Sequence, residues 1–266
     1  MELINYLGYF GALLIGLILG LIGGGGSILT VPILVYLLSI NPVTATAYSL
    51  FIVGVTSLVG TLRNLPKKLI DFKTAIVFAI PAFIAVYISR KYLVPAIPET
   101  IVTIGDFQLT KSVGLMLFFA LVMLLAAFSM IRNKRKREDH EGEVKYNIPL
   151  IVVEGLLVGL VTGLVGAGGG FLIIPALVLL AKLPMKKAVA TSLLIISIKS
   201  LIGFIGDVEN LDIEWVFLLT FSFFSIAGIF LGIYLGQFIE GKKLKKSFGW
   251  FVLLMAVYIV FQEFSQ

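Results

Sequence analysis

Long apolar runs separated by short polar stretches recur along the whole chain. A helix needs roughly 20 apolar residues to span about 30 Å of hydrocarbon, and eight windows of the sequence reach that length. They predict helices, because the spans of a β-barrel would be shorter and would alternate in polarity. The first run has no basic region or small-residue cleavage site, so we expect a retained span. The predicted spans are residues 3–22, 43–62, 73–94, 110–131, 147–166, 186–206, 213–238 and 246–263.

Two further apolar runs, 28–38 and 171–181, are too short to cross alone, since about 11 helical residues rise only some 17 Å. Each begins at a glycine-rich stretch, which reads GLIGGGGSILTVP at 20–32 and GLVGAGGGFLIIP at 163–175. Glycine costs roughly 1 kcal/mol relative to alanine inside a helix. Each stretch therefore predicts a helix break that is followed by a half-length helix.

The two glycine stretches belong to an internal repeat. Positions 11–60 align with 154–203 without a gap, and 22 of the 50 positions are identical. Apolar composition alone does not readily produce the shared Gly, Pro and Ser positions. We predict an all-α polytopic membrane protein with an N-terminal transmembrane repeat at 1–131, a cytoplasmic basic linker at 132–145 and a C-terminal transmembrane repeat at 146–266.

Glycines at four-residue intervals indicate where helices pack closely. Such small-xxx-small spacing lets two helix backbones approach each other inside a membrane. The spaced residues are Gly8, Ala12, Gly16 and Gly20 in the first repeat, and Gly155, Gly159 and Gly163 in the second.

The placement of charge predicts the topology. Basic residues cluster at 63–73, 132–138 and 240–246, whereas 206–214 carries only acids. Basic loops stay in the cytoplasm, so the segment between the linker and the acidic loop must cross an odd number of times. Three crossings satisfy this rule if the glycine-led short helix completes one.

Five crossings per half make the second repeat inverted relative to the first, a recurrent plan in secondary transporters. Both termini then lie outside the plasma membrane of a bacterium or archaeon. Arg90, Lys91 and Lys111 would also face outward, against the usual charge bias. Eight spans with two re-entrant segments remain the alternative.

Composition narrows the function classes. Apolar residues make up 59% of the chain, charged residues 14%, and the net charge is +6, which together indicate an integral membrane protein. Cysteine is absent and the single histidine, His140, lies in a charged loop. Neither glycine stretch continues as a P-loop, and no HExxH or GxSxG motif occurs. We expect no cofactor, no metal site and no nucleic-acid partner, and we keep an intramembrane enzyme and a non-transporting scaffold as alternatives.

The glycine breaks predict a site for an anion. In the inverted arrangement the two short helices start near the membrane midplane from opposite sides, and each start offers free N–H donors and a partial positive charge. Non-helical backbone at this depth must be buried in protein or line a wet cavity. The predicted backbone ligands are Gly24, Gly25, Gly26 and Ser27 in the first repeat and Ala167, Gly168, Gly169 and Gly170 in the second.

Lys199 is the most informative single residue. It lies about 20 Å into the 186–206 span, and an intramembrane cation is by default a functional candidate. It could complement an anion or titrate during coupling, and pairing with Glu154 or a backbone carbonyl is the structural alternative. The hydroxyl candidates for the same site are Tyr48, Ser49, Thr191 and Ser192. The candidates for gating or coupling are Glu154, Arg63, Asn64 and Asp207.

The repeated pattern G-L-x-G-x-G-G-G…P, followed by A-T-S-L, resembles the TauE/SafE sulfite exporter family. The matching stretches are 20–64 and 163–215, with departures at Ser27, Tyr48 and Asn64, and Lys199 is not a general family mark. The resemblance implies an exporter or exchanger of small sulfur-containing or organic anions, such as sulfite, sulfonates or sulfoacetate, that works by alternating access without ATP hydrolysis. The expected partners are a small anionic substrate and the lipid bilayer; coupling to a proton or counter-anion and oligomer formation stay open.

Overall fold

A computed structural model describes residues 2–104, 107–132, 148–166, 168–179, 183–236, 238 and 241–265. Within those residues the ten long or half-length helices fall where the apolar runs predict them. Residues 133–147, which include most of the predicted linker and His140, lie outside the described residues. The helices are α1 Glu2–Ile22, α2 Ser27–Pro32, α3 Pro42–Asn64, α4 Phe72–Ile88, α5 Lys111–Arg132, α6 Ile148–Val165, α7 Gly170–Leu179, α8 Met185–Val208, α9 Trp215–Leu235 and α10 Gly241–Ser265.

Six helical segments are long and apolar enough to cross a membrane, and three shorter apolar helices, Tyr6–Ile22, Ser27–Leu37 and Gly249–Phe264, accompany them within the described residues. Large apolar side chains lie on the outside of the molecule, as a protein surrounded by lipid requires. Val216 on α9, for example, is 83% exposed. The predicted all-α polytopic membrane protein is therefore confirmed.

Two helices continue beyond their α-helical part as wider π-helical turns. α2 continues through Ile33–Leu37, and α4 continues through Ser89–Leu93 and ends with one α-helical turn at Val94–Ala96. A π-turn adds a residue and redirects the side chains that follow, and it often occurs at functional sites. In α4 the second residue of this turn is Arg90.

An antiparallel β-hairpin connects α4 to α5. Its strands are β1 Thr100–Ile104 and β2 Phe107–Thr110, and Thr103 pairs with Gln108. The apolar windows did not predict these strands. They lie between two predicted spans, so the hairpin leaves the helical plan unchanged.

The first helix of each repeat packs on the fourth helix of the other repeat. α1 of the first repeat packs on α9 of the second, and α6 of the second packs on α4 of the first. The counterpart helices α3 and α8 pack on each other, as do α5 and α10. Each of these contacts either has a matching contact between the counterpart helices or joins two counterpart helices, so the two repeats share one packing pattern.

Glycines make the close contacts between repeats. A Cβ on Gly16 or Gly20 would overlap the backbone of α9, and one on Gly155 or Gly159 would overlap the backbone of α4. The four-residue spacing had predicted this packing for those positions. The other members of the pattern differ: Gly163 meets Ser89, and Gly8 meets the side chain of Leu38.

The direction of each pair follows from its contacts. Along α3 and α8, Gly60 faces Leu193 whereas Gly54 faces Leu201, so these helices run antiparallel. Along α1 and α9, Gly16 faces Ser225 and Gly20 faces the backbone further along α9, so these helices run parallel.

Candidate functional site

A glycine with positive φ ends the first helix of each repeat. Gly23 has φ +77° and Gly166 has φ +72°, and the alignment of the two repeats makes them counterparts. Left-handed backbone is strained for any residue with a Cβ, and glycine commonly ends helices in this way. The same local geometry therefore produces both predicted breaks. After each break the chain starts the half-length helix, α2 or α7.

The two glycine turns lie against each other. A Cβ on Gly24 would overlap the Cα of Gly170, and a Cβ on Gly170 would overlap Gly24 in return. Gly168 lies beside Ser27, whose Oγ donates a hydrogen bond of 2.7 Å to the carbonyl oxygen of Gly24. The turns thus meet by backbone contact, with no space for a solute between Gly24 and Gly170.

The remaining predicted backbone ligands have different surroundings. Gly25 lies in the 3₁₀ turn between Gly24 and Gly26. A Cβ on Gly26 would lie 2.7 Å from the carbonyl oxygen of Ile15, so this glycine permits the turn to pack on α1. Ala167 lies outside the described residues.

Lys199 is completely buried on α8, beside the second glycine turn. Its side chain is 0% exposed, and its Nζ donates a hydrogen bond of 2.8 Å to Oγ1 of Thr162 on α6. A Cβ on Gly169 would lie 3.1 Å from the same Nζ. An ammonium group has three donor hydrogens, and Thr162 is its one hydrogen-bond partner among the described residues. Within the part of the chain that the structure describes, the cation is therefore only partly satisfied.

Glu154 does not pair with Lys199. It lies on α6 and is partly exposed, about two helical turns, or roughly 12 Å, before Thr162. The structure therefore leaves this acid away from the lysine and the glycine turns.

Tyr48 and Thr191 make the same bond in the two repeats. Tyr48 Oη accepts a hydrogen bond of 2.7 Å from the backbone N–H of Glu214, and Thr191 Oγ1 accepts one of 2.9 Å from the N–H of Asp71. The repeat alignment relates Tyr48 to Thr191, and its continuation relates Asp71 to Glu214. Each bond joins the third helix of one repeat to the start of the fourth helix of the other. We call Tyr48–Glu214 the outer and Thr191–Asp71 the inner cross-repeat bond, after the sides of the membrane on which the predicted topology places them.

The serine counterparts Ser49 and Ser192 are both buried. Ser192 Oγ donates to the carbonyl oxygen of Val189 at 2.8 Å and lies next to Gly23. Ser49 Oγ has no hydrogen-bond partner among the described residues. Buried hydroxyls are nearly always paired, so the hydroxyl of Ser49 is unusual within the described part of the chain.

The four gating or coupling candidates do not form one group. Arg63 is exposed at the end of α3, and the amide of Asn64 donates to the carbonyl oxygen of Gly60 at 2.9 Å. Asp207 is buried near the end of α8, where its Oδ2 lies 3.4 Å from Nε of Arg90. Among the described residues, Asp207 is the one of these four that has a buried charge as its partner.

A model of the TauE/SafE sulfite exporters matches residues 9–260, which is nearly the whole chain. The chain belongs to the TauE/SafE sulfite exporter family. It is therefore a membrane transporter, as the repeated glycine motif had indicated.

Relatives of this TauE/SafE protein carry the same broad description. A probable membrane transporter protein of Xylella fastidiosa (strain Temecula1) is 28% identical over 95% of this chain and 93% of its own. One of Methanocaldococcus jannaschii is 34% identical over 88% of each chain, and YunE of Bacillus subtilis is 29% identical over 93% of this chain and 92% of its own. No solved structure matches this chain.

Sequence reasoning did not include Arg90 among the candidate site residues of this TauE/SafE transporter. Arg90 is 0% exposed and pairs with Asp207. Lys91 and Lys111, expected to face outward with it, also lie beside acids, at 3.1 Å from Glu209 and 3.9 Å from Glu99. The sequence did contain an indication of these ion pairs, because the acidic stretch 206–214 offers carboxylates to basic residues on the same side of the membrane.

Proposed function

We propose that this TauE/SafE protein is a secondary transporter, working as an exporter or exchanger, of small sulfur-containing or organic anions such as sulfite, sulfonates or sulfoacetate. The observation that carries the proposal is Lys199, an ammonium group that is buried beside a glycine turn and has one hydrogen bond among the described residues. A cation in this position is costly unless it is compensated. A small anion supplies that compensation.

Ser49 completes the surroundings of the proposed site. Thr46 contacts Gly166 and Val53 contacts Gly168, and Ser49 lies between them at spacings of three and four residues on α3. Residues at these spacings share one face of a helix, so Ser49 faces the second glycine turn. Because Gly24 and Gly170 touch, we place the anion beside their contact, toward Lys199 and Ser49. The start of α7 carries the partial positive charge of a helix N-terminus, which also favours an anion there.

We infer that the two repeats are inverted and cross the membrane ten times. Counterpart helices run in opposite directions when the axis that relates them lies in the membrane plane. They run in the same direction when the axis is the membrane normal. The antiparallel packing of α3 and α8 supports the first case, whereas eight spans with re-entrant segments would make these helices parallel. Both termini then lie outside a plasma membrane.

The cross-repeat bonds support transport by alternating access. In the ten-crossing topology Tyr48 and Glu214 lie toward the outside, whereas Thr191 and Asp71 lie toward the cytoplasm. If the repeats rock about the central contact of the glycine turns, the bond on the opening side breaks and the other holds. Both bonds are present in this structure, so we assign it to a state closed on both sides.

Flux through proteoliposomes tests the function. Sulfite, sulfoacetate and taurine are supplied under anion gradients and under pH gradients, which also reveals coupling to a proton or counter-anion. We expect Lys199→Gln to reduce flux by about tenfold or more, because the anion loses its buried countercharge. Lys186→Gln, an exposed lysine on the same helix, is the matched control and should keep wild-type flux. A folded wild-type protein without anion flux under any gradient would contradict the proposal.

A further inference from the structure

Arg90 is a second buried cation, separate from Lys199. It lies on the π-helical turn that follows α4, and its side chain is 0% exposed. One nitrogen, Nη1, donates a hydrogen bond of 3.0 Å to Oγ1 of Thr46. The other two, Nε and Nη2, have no hydrogen-bond partner among the described residues. A buried guanidinium group in which two nitrogens lack a partner among the described residues is an unusual arrangement.

Asp207 neutralises Arg90 without binding it fully. Arginine and carboxylate usually pair through two parallel hydrogen bonds. Here Oδ2 of Asp207 lies 3.4 Å from Nε, and this oxygen also has no hydrogen-bond partner among the described residues. The two charges therefore neutralise each other, while each group keeps polar atoms that can bind another partner.

Contacts between neighbouring residues connect Arg90 to the proposed site. Thr46, which accepts the Arg90 hydrogen bond, packs against Gly166. Gly166 starts the second glycine turn, which continues to Gly169 beside Lys199. In the inferred topology, Arg90 and Thr46 lie on the outer side of that turn. A series of neighbouring residues thus connects the two cations, with Arg90 at its outer end and Lys199 at its inner end.

The other repeat has no equivalent of this pair. Continued beyond its identical positions, the repeat alignment places Asn64 opposite Asp207 and Ile233 opposite Arg90. Asn64 bonds to the carbonyl oxygen of Gly60 in its own helix. The repeats also pack closely at the corresponding position on the other side, where no charged pair is present. Packing alone therefore does not require such a pair. The pair is a property of the outer side only.

We propose that Arg90 forms a second anion-binding site, at which an oxyanion displaces Asp207 from the guanidinium group during passage between Lys199 and the outside. The planar fork of arginine suits a sulfite, sulfonate or carboxylate group, which it binds with two hydrogen bonds. Asp207 competes with the anion and neutralises Arg90 when the site is empty. The nature of the anion rests on the proposed function, whereas the competition between Asp207 and the anion is new.

Asp207→Asn gives the sharpest test, because it keeps Arg90 and removes its competitor. Binding of sulfite and of sulfoacetate to the full-length protein is measured by calorimetry in detergent, and KM is measured for flux from the outer side. We expect Asp207→Asn to bind these anions several-fold more tightly than wild type, and to gain more thermal stability from them. Arg90→Gln should weaken binding by about tenfold, and Arg90→Lys should restore part of it.

The neighbouring ion pair supplies the matched control. Lys91 and Glu209 lie 3.1 Å apart and are more exposed, with side chains 28% and 69% accessible. Lys91→Gln and Glu209→Gln should leave anion affinity at the wild-type value. If Arg90→Gln fails to fold, Asp207→Asn and the double variant Arg90→Gln/Asp207→Asn still decide the question, since the double variant should lose the gain in affinity.

The outcomes separate this site from the proposed function. Wild-type affinity in Asp207→Asn and in the double variant would overturn the Arg90 site, even where flux still depends on Lys199. A purely structural pair would lower the melting temperature of the variants without changing affinity, and that result also rejects the site. If the wild-type protein neither binds nor carries these anions, the proposed function itself fails.

Discussion

At the scale of single residues, the sequence identified a buried charge only where the surroundings are apolar throughout. Lys199 stands out because no other charged residue lies between Lys187 and Asp207. Arg90 precedes Lys91 and Tyr92 at the end of a span, which is where basic residues normally reach the membrane surface. Its burial depends on Thr46 and Asp207 from distant parts of the sequence. No local pattern carries that information.

Thr162→Val tests how far Thr162 satisfies Lys199. Valine keeps the shape and removes the oxygen that accepts the lysine hydrogen bond, which is 2.8 Å long. We expect a loss of about 1 to 3 kcal/mol in the free energy of unfolding, and a larger stabilisation by sulfite than in wild type. Thermal unfolding in detergent, with and without the anion, measures both effects.

The control for that variant is Thr220→Val on α9. Thr220 donates its hydroxyl proton to the carbonyl oxygen of Val216 within its own helix, at an exposed position. This change should alter the melting temperature very little. Equal melting temperatures and equal anion effects in the two variants would show that Thr162 does not hold Lys199.

At the scale of secondary-structure elements, apolar length predicted the helices and the glycine runs predicted their breaks. The hairpin of β1 and β2 was missed because its residues TIVTIGDFQLT are short and lie between much longer apolar runs. The π-helical turns Ile33–Leu37 and Ser89–Leu93 were also missed, since an added residue in a helix leaves its hydrophobicity unchanged. Such turns depend on packing against other elements.

Tyr48→Phe tests the outer cross-repeat bond. The change removes the hydroxyl that accepts from the N–H of Glu214 and keeps the ring that packs near Phe217. One hydrogen bond contributes about 1 kcal/mol, so the outward-open population should rise about fivefold. A single cysteine at Ser49, labelled by an impermeant reagent from the outside, measures this population.

Thr191→Val removes the inner cross-repeat bond and should have the opposite effect, because the cytoplasmic side then opens more easily. The matched control is Tyr6→Phe, at a side chain that is 69% exposed. In the Ser49→Cys background, the Tyr6→Phe variant should be labelled at the same rate as the protein that carries Ser49→Cys alone. Identical labelling in Tyr48→Phe, Thr191→Val and the control would reject the idea that these bonds hold the two sides closed.

At the scale of the whole molecule, the repeat predicted that the two halves resemble each other, but it did not predict which helices meet. The alignment of the halves is a statement about sequence alone, whereas the packing of α1 on α9 and of α6 on α4 depends on the shape of each helix surface. The glycine spacing showed that these faces pack closely. It did not show that each packs on the other repeat.

Cysteine labelling tests the inferred topology. The chain contains no cysteine, so single cysteines at Ser39 and Lys186, both exposed, can be labelled without a background. In the ten-crossing topology Ser39 precedes α3 on the outside, and Lys186 starts α8 on the cytoplasmic side. An impermeant reagent added to intact cells should label the first and not the second. Labelling of both from one side would reject the inverted repeats.

The packing of each repeat's first helix on the other repeat has a consequence for the order of assembly during synthesis. When the ribosome has released the first five helices, α9 does not yet exist, so the glycine face of α1 has lipid or the insertion machinery as its only neighbour. Gly16 and Gly20 find their partners on α9 only near the end of synthesis. Assembly must therefore be completed late, and either half produced alone should be degraded unless the other half is supplied in the same cell.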